Sequence, residues 1–234
     1  MPALRSSSVF INVPFDEEYR KLRDALIFSI SDCGFRVRCA LEVDDGAQNR
    51  FQKICRIMRD SPYGIHDISR VQLDRNRLPR FNMPLELGLF LGAKWFGAKE
   101  QKKKICLILD EERYRFQKFC SDIAGQDIRS HSSDPVELII RVRDWLSIAP
   151  GRQRVLMPGG EAIAARFASF LRELPSICRD QQLNHTRLAY SDYLFIISRW
   201  QENNPLMPLS DRRRLRPPRS RRRRAARRRP RPRY

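Results

Sequence analysis

Short apolar runs alternate with longer stretches of helical spacing along the first 150 or so residues. Val9-Phe10-Ile11-Asn12-Val13 is a β-branched run closed by Pro14 and Asp16, and it reads as a strand. Residues 17–32 follow with Leu22, Leu26, Ile27 and Ile30 at helical spacing, and Gly34 ends that helix. The second strand, 35–40, sets Arg36 and Arg38 against Val37 and Cys39, and 48–60 is a helix through Phe51, Ile54, Cys55 and Met58. Residues 63–68 are strand three and 82–96 helix three, with Asn82 as N-cap and Pro84 in the first turn. The continuous apolar run 105–109 suits a strand covered on both faces. A short helix at 113–121, a weak strand at 127–130 and a helix at 135–148 complete the series.

Five βα units imply a three-layer α/β fold around a five-stranded parallel sheet, because parallel neighbours need a helical crossover. A flavodoxin-like strand order is the first expectation and a Rossmann order the second. After a Pro/Gly linker at 149–160, residues 161–174 and 188–200 read as two helices. Phe167, Phe170, Leu171 and Leu174 form an apolar stripe on the first of them. The expected organisation is an α/β domain at 1–148, a helical appendage packed on it at 149–204, and a disordered Arg/Pro-rich tail at 205–234.

Charge changes the picture less than its total suggests. The net charge is +19, but residues 211–234 hold fourteen arginines and one aspartate, a net of +13. Subtracting them leaves 32 basic and 26 acidic residues in 1–210, a net of +6. The tail therefore carries the expectation of weak, sequence-independent polyanion binding, and the body does not. Six cysteines show no CxxC pair and no histidine at zinc spacing, so they read as packed thiols and no metal is expected. No apolar run reaches the ~18–20 residues of a membrane span, and the first eight residues are too short and polar for a secretory signal, so a cytoplasmic protein is expected.

Candidate chemistry concentrates where strand three passes into helix three, since open α/β sheets bind ligands at the carboxyl ends of their strands. Glu86 would project from the first turn of helix three among apolar residues; it is either a tuned carboxylate or one that stabilises a helix start. Asp67 ends strand three, as a ligand for ribose hydroxyls or as a turn residue. His66, Ser69 and Arg70 lie beside it, His66 also reading as a packed core histidine and Arg70, with Arg80, as a phosphate contact or a solvated charge. Asn12-Val13-Pro14-Phe15-Asp16 occupies the place of a phosphate loop but contains no glycine, which leaves side-chain contacts only. There is no Walker loop and no GxGxxG.

The strings VFINVPFDEEY, CGFRVRCALE, SPYGIHDISR, LPRFNMPLELGLFLGA and DIAGQDI…ELIIRVRDWL resemble the TIR-like and nucleoside-deoxyribosyltransferase-like group of bacterial flavodoxin-fold proteins. Within it they are similar to bacterial nucleotide-binding proteins associated with TIR-like domains of defence systems. The resemblance covers about 140 residues. It implies that Glu86 attacks or stabilises the anomeric carbon of an N-glycosidic bond, that Asp67 contacts the ribose, and that Asn12, Phe15 and Asp16 line the pocket. His66, Ser69, Arg70 and Asn82 are the remaining candidate nucleotide contacts. The Trp-x-x-x-Glu pattern frequent in TIR NAD-cleaving enzymes is absent, with Met83 and Pro84 in that approach, and the 68–81 loop is long.

The activity so implied is that of a hydrolase cleaving NAD at the nicotinamide–ribose bond without a required cofactor. Self-association or an activating partner protein would be expected of a defence effector. The alternative is a non-catalytic nucleotide sensor or assembly module, and a further one is nucleic-acid association through the tail.

Overall fold

A computed structural model describes residues 8–71, 80–149 and 157–206. The 72–79 part of the long loop, most of the expected linker and the expected disordered tail from residue 207 onward lie outside the described residues.

Five strands form one sheet: β1 (Ser8–Asn12), β2 (Arg36–Arg38), β3 (Tyr63–Asp67), β4 (Ile105–Asp110) and β5 (Ile128–Ser130). All neighbours are parallel and the order is β2-β1-β3-β4-β5, the flavodoxin-like order. Register sets Ile11 beside Ile65 and Ile65 beside Leu107, so a continuous apolar band crosses the centre of the sheet.

Strand alternation sorts the core into two faces. Val9, Ile11, Val37, Tyr63, Ile65, Leu107 and Leu109 pack under α1 (Arg20–Asp32) and α4 (Pro135–Ser147). On the other face Phe10 meets Ile54, Ile57 and Met58 of α2 (Arg50–Arg59) and Phe90 of α3 (Asn82–Phe96). Ile108 meets Leu87 and Leu91 of α3 there. Local chemistry fixes several helix starts. Asn49 accepts a bond from the Gln52 N–H at α2, and Asp134 accepts one from Val136 at α4, where Pro135 occupies the first turn.

The last two helices, α5 (Gly160–Asp180) and α6 (Tyr190–Asn203), extend the α1/α4 face. Phe167, Phe170, Ile197 and Trp200 share one core with Phe28 of α1. A bidentate pair from Arg166 to Asp32, at 2.9 Å through both Nε and Nη2, ties α5 to α1. Helix α5 runs six residues beyond the expected end at Leu174, through Pro175. Proline removes one helical hydrogen bond, but Cys178 one turn later is fully buried in the core and holds the continuation in place.

Two other elements differ from expectation. The 113–121 helix is replaced by 3₁₀ turns at Arg115–Lys118 and Ser121–Ile123, behind a left-handed Tyr114 (φ +61°). Helix α3 has the expected span, but Phe81 is its cap residue and Asn82 its first helical residue, with no side-chain cap bond.

Candidate functional site

The strand order reverses between β1 and β3, and a crevice at such a switch point is where α/β sheets bind ligands. A cavity of about 260 Å³ lies there, between the end of β1 and the first turns of α2 and α3. Its walls are largely apolar, from Phe10, Phe15, Ala40, Phe51, Ile54, Met83 and Leu85, and the polar groups on them are Asn12, Arg50, Asn82 and Glu86.

Asn12 is buried at the floor. Its Nδ2 donates to the Met83 carbonyl at 2.8 Å, which fixes the amide orientation because a carbonyl only accepts. The same nitrogen lies 3.1 Å from His66 Nδ1, so that ring atom is an acceptor and His66 carries its proton on Nε2. Burial, with a lesser push from Lys104, drops the His66 pKa to about 3, and the ring is a neutral core group packed against Phe10 and Phe90. Among the described residues Asn12 Oδ1 has no hydrogen-bond partner. An orphaned buried acceptor is costly, and a ligand hydroxyl would relieve it.

Glu86 is half-buried on the α3 wall, and among the described residues no hydrogen bond or ion pair reaches its carboxylate. Burial pushes its pKa up to about 7, against a smaller downward pull from Arg50. At neutral pH this carboxyl is therefore poised between acid and base. Arg50, exposed at the first position of α2, is the one cation on the cavity wall among the described residues.

The structure does not bring Asp67 to this cavity. Asp67 shares its strand parity with Ile65, so its side chain belongs to the α1/α4 face, opposite to α3. It is fully buried, and both oxygens are engaged. One accepts the Ser69 backbone N–H at 2.8 Å; the other accepts the Tyr19 hydroxyl and lies 3.0 Å from His131 Nε2. Since His131 Nδ1 accepts the Ser133 N–H at 3.1 Å, Nε2 carries the proton and donates to Asp67. Burial raises the Asp67 pKa, but the bonds from His131, Ser69 and Tyr19 outweigh it and the net direction is down.

The other expected contacts divide in the same way. Asn12, Phe15, Asn82 and Glu86 line the cavity, whereas His66 only buttresses its floor through Asn12. Ser69 is buried, its carbonyl accepting from Arg115 at 2.6 Å. Asp16 accepts the Tyr19 N–H at 2.9 Å and pairs with Arg80 at 2.8 Å, while Arg70 pairs with Glu18. Those charges are thus occupied by protein partners. Sequence reasoning missed Arg50 and Phe51, although Asn49 as a helix cap places both in the first turn of α2, at the ligand edge. It also missed Tyr19 and His131, which hold Asp67 across more than forty residues of chain in each direction.

No protein-family model, curated protein or solved structure matches the chain. The geometry of the two regions is what bears on function.

Proposed function

We propose that the chain is a nucleotide N-glycosidase whose β1–α2–α3 cavity takes the nicotinamide–ribose end of NAD, with Glu86 as the catalytic residue. The observation that carries this reading is the Glu86 carboxyl on an apolar wall, unpaired among the described residues, with its pKa raised to about 7. A volume of about 260 Å³ is below the roughly 300–1,000 Å³ of a pocket enclosing a whole ligand. It suits a ribose and a single-ring base, with the adenylate outside. Arg50 at the rim would meet the pyrophosphate, and Asn12 Oδ1 would accept from a ribose hydroxyl.

The chemistry needs only one carboxylate. As the C1′–N bond breaks, its electron pair passes to the pyridinium nitrogen, and nicotinamide leaves neutral without being protonated. Glu86 in its ionised form stabilises the positive charge that develops on the ribosyl C1′ and ring oxygen. Water then adds its oxygen to C1′, and a group titrating near pH 7 accepts the proton it releases. A purine nucleoside would need an acid for its leaving group, which favours the pyridinium substrate.

Incubating concentrated protein with NAD and following nicotinamide release tests the assignment. Release should fall at least ~10²-fold in Glu86→Gln, the scale of losing one charge-stabilising or proton-transfer group. Release that survives the substitution within a few-fold would refute Glu86 as catalytic. NAD binding with no release would instead support a non-catalytic nucleotide sensor.

A further inference from the structure

Helix α3 is apolar all around, which usually marks a helix buried on every side, yet one of its faces is open. Phe81, Leu85, Trp95 and Phe96 are 65%, 55%, 52% and 87% exposed. With Gly88 and Gly92 they recur at intervals of four and three, so they fall within an arc of about 100° on the helix surface. No charge interrupts this face. Lys94 is turned to the Lys104 carbonyl, and Glu86 lies toward the cavity.

We propose that this face is the dimer interface of the protein and that its occupant is the α3 face of a second copy. Three features point to self-association. The face is bulky at both ends and flat in the middle: a Cβ built on Gly88 or Gly92 would meet nothing within 4 Å. An antiparallel two-fold crossing at the level of Phe90 sets Gly88 against the second copy's Gly92, and Leu85 against its Trp95, so each bulky end closes on the other. Because the face has no charge or exposed hydrogen-bonding side chain other than the Trp95 indole, it offers nothing to recognise an acidic peptide or a nucleic acid.

Area supplies the third argument. An aromatic side chain buries roughly 150–250 Å², so these exposures leave roughly 500 Å² of apolar side chain per copy. Two copies and the glycine backbone between them reach about 1,000–1,200 Å², the lower bound for a specific interface. Leu85 belongs to both this face and the cavity wall, so the second copy would border the cavity mouth.

Sedimentation velocity on the full chain from about 1 to 200 µM tests the proposal. A monomer–dimer equilibrium is expected, strengthening between 0.15 and 0.5 M salt as the repulsion of two +19 chains is screened. Phe96→Glu and Gly88→Leu should each raise the dimer dissociation constant at least ~10-fold. Phe96 is exposed and the space above Gly88 is open, so both variants should keep the wild-type melting temperature; if one does not, the other decides. A wild-type chain that stays monomeric at 200 µM in both salts overturns the proposal. So does a dimer that neither substitution weakens, or a monomer that co-sediments with neutral phosphatidylcholine vesicles through Phe96, which would make a lipid surface the occupant.

Discussion

Two carboxylates stand at the same edge of one sheet and have opposite fates. Asp67 is surrounded by donors: the Tyr19 hydroxyl, the Ser69 N–H and His131 Nε2, with its pKa held below the usual carboxylate range. Glu86 has no donor among the described residues, and burial moves its pKa up to about 7. The first is an ionised, saturated node that ties the loops after β1, β3 and β5 together. The second retains unused bonding capacity on the wall of a cavity. A buried charge that is fully bonded has nothing left to offer a ligand, whereas an unbonded one is destabilised in the free protein and gains from whatever fills the space. Position at the sheet edge is common to both; what separates them is satisfaction.

The largest effect expected from breaking this contrast is on stability at Asp67. Asp67→Ala leaves three donors buried without an acceptor, and the loss should be roughly 3–5 kcal/mol, the range for removing one partner of a buried charged cluster. Urea unfolding at pH 7 measures it. A loss under about 1 kcal/mol would mean that the Tyr19–Asp67–His131 node contributes little and that the two carboxylates differ less than their bonding suggests.

The converse change, Glu86→Gln, should cost turnover and not stability. At pH 7 and above it should stabilise the fold, because the amide has no ionised form to desolvate. The sign follows from linkage. The folded state holds a proton on Glu86 up to about pH 7 whereas a glutamate in the unfolded chain loses it near its ordinary value of 4.5, so wild-type stability falls as pH rises through that window. The glutamine variant lacks this slope. The difference between the two, about 1–2 kcal/mol after allowing for solvent screening, should be complete by pH 8 and absent at pH 4. Parallel curves for wild type and variant across pH 4–8 would show that Glu86 is solvated like any surface carboxylate.

Most of the fold was legible in the chain, and the candidate site only in part. The strands and crossover helices could be placed because apolar runs and helical spacing act locally: 105–109 reads as a buried strand wherever it packs, and 82–96 begins and ends where its composition changes. The helix expected at 161–174 was too short because its continuation through Pro175, a local helix breaker, is held by tertiary burial of Cys178. At the site, Glu86 was found because a carboxylate in an apolar helix start is a local anomaly. Grouping Asp67 with it ignored strand parity, which was available in the sequence: Ile65 and Asp67 share a face, and His66 takes the other. Its real partners were not legible, since nothing near Asp67 in sequence marks Tyr19 or His131 as neighbours.

The smallest expected effect isolates the charge of Arg50, which opposes burial at Glu86. Arg50 is exposed at the start of α2 and favours the ionised carboxyl, so removing it should raise the Glu86 pKa above about 7. An exposed pair of this kind contributes ~0.4–1 kcal/mol, which corresponds to a shift of about 0.3–0.7 pH units in Arg50→Met. Carbon-detected NMR titration of the Glu86 carboxyl reads the shift directly, without depending on turnover. Salt provides an internal check, because screening acts on charges facing water and hardly on burial. Raising ionic strength from about 0.05 to 0.5 M should move the wild-type midpoint upward toward that of the variant, and leave the variant almost where it was. If the variant instead titrated at or below the wild-type value, Arg50 would not be the opposing charge. If both midpoints fell near 4.5, burial would not be raising the group at all, and the contrast between Glu86 and Asp67 would reduce to one of exposure.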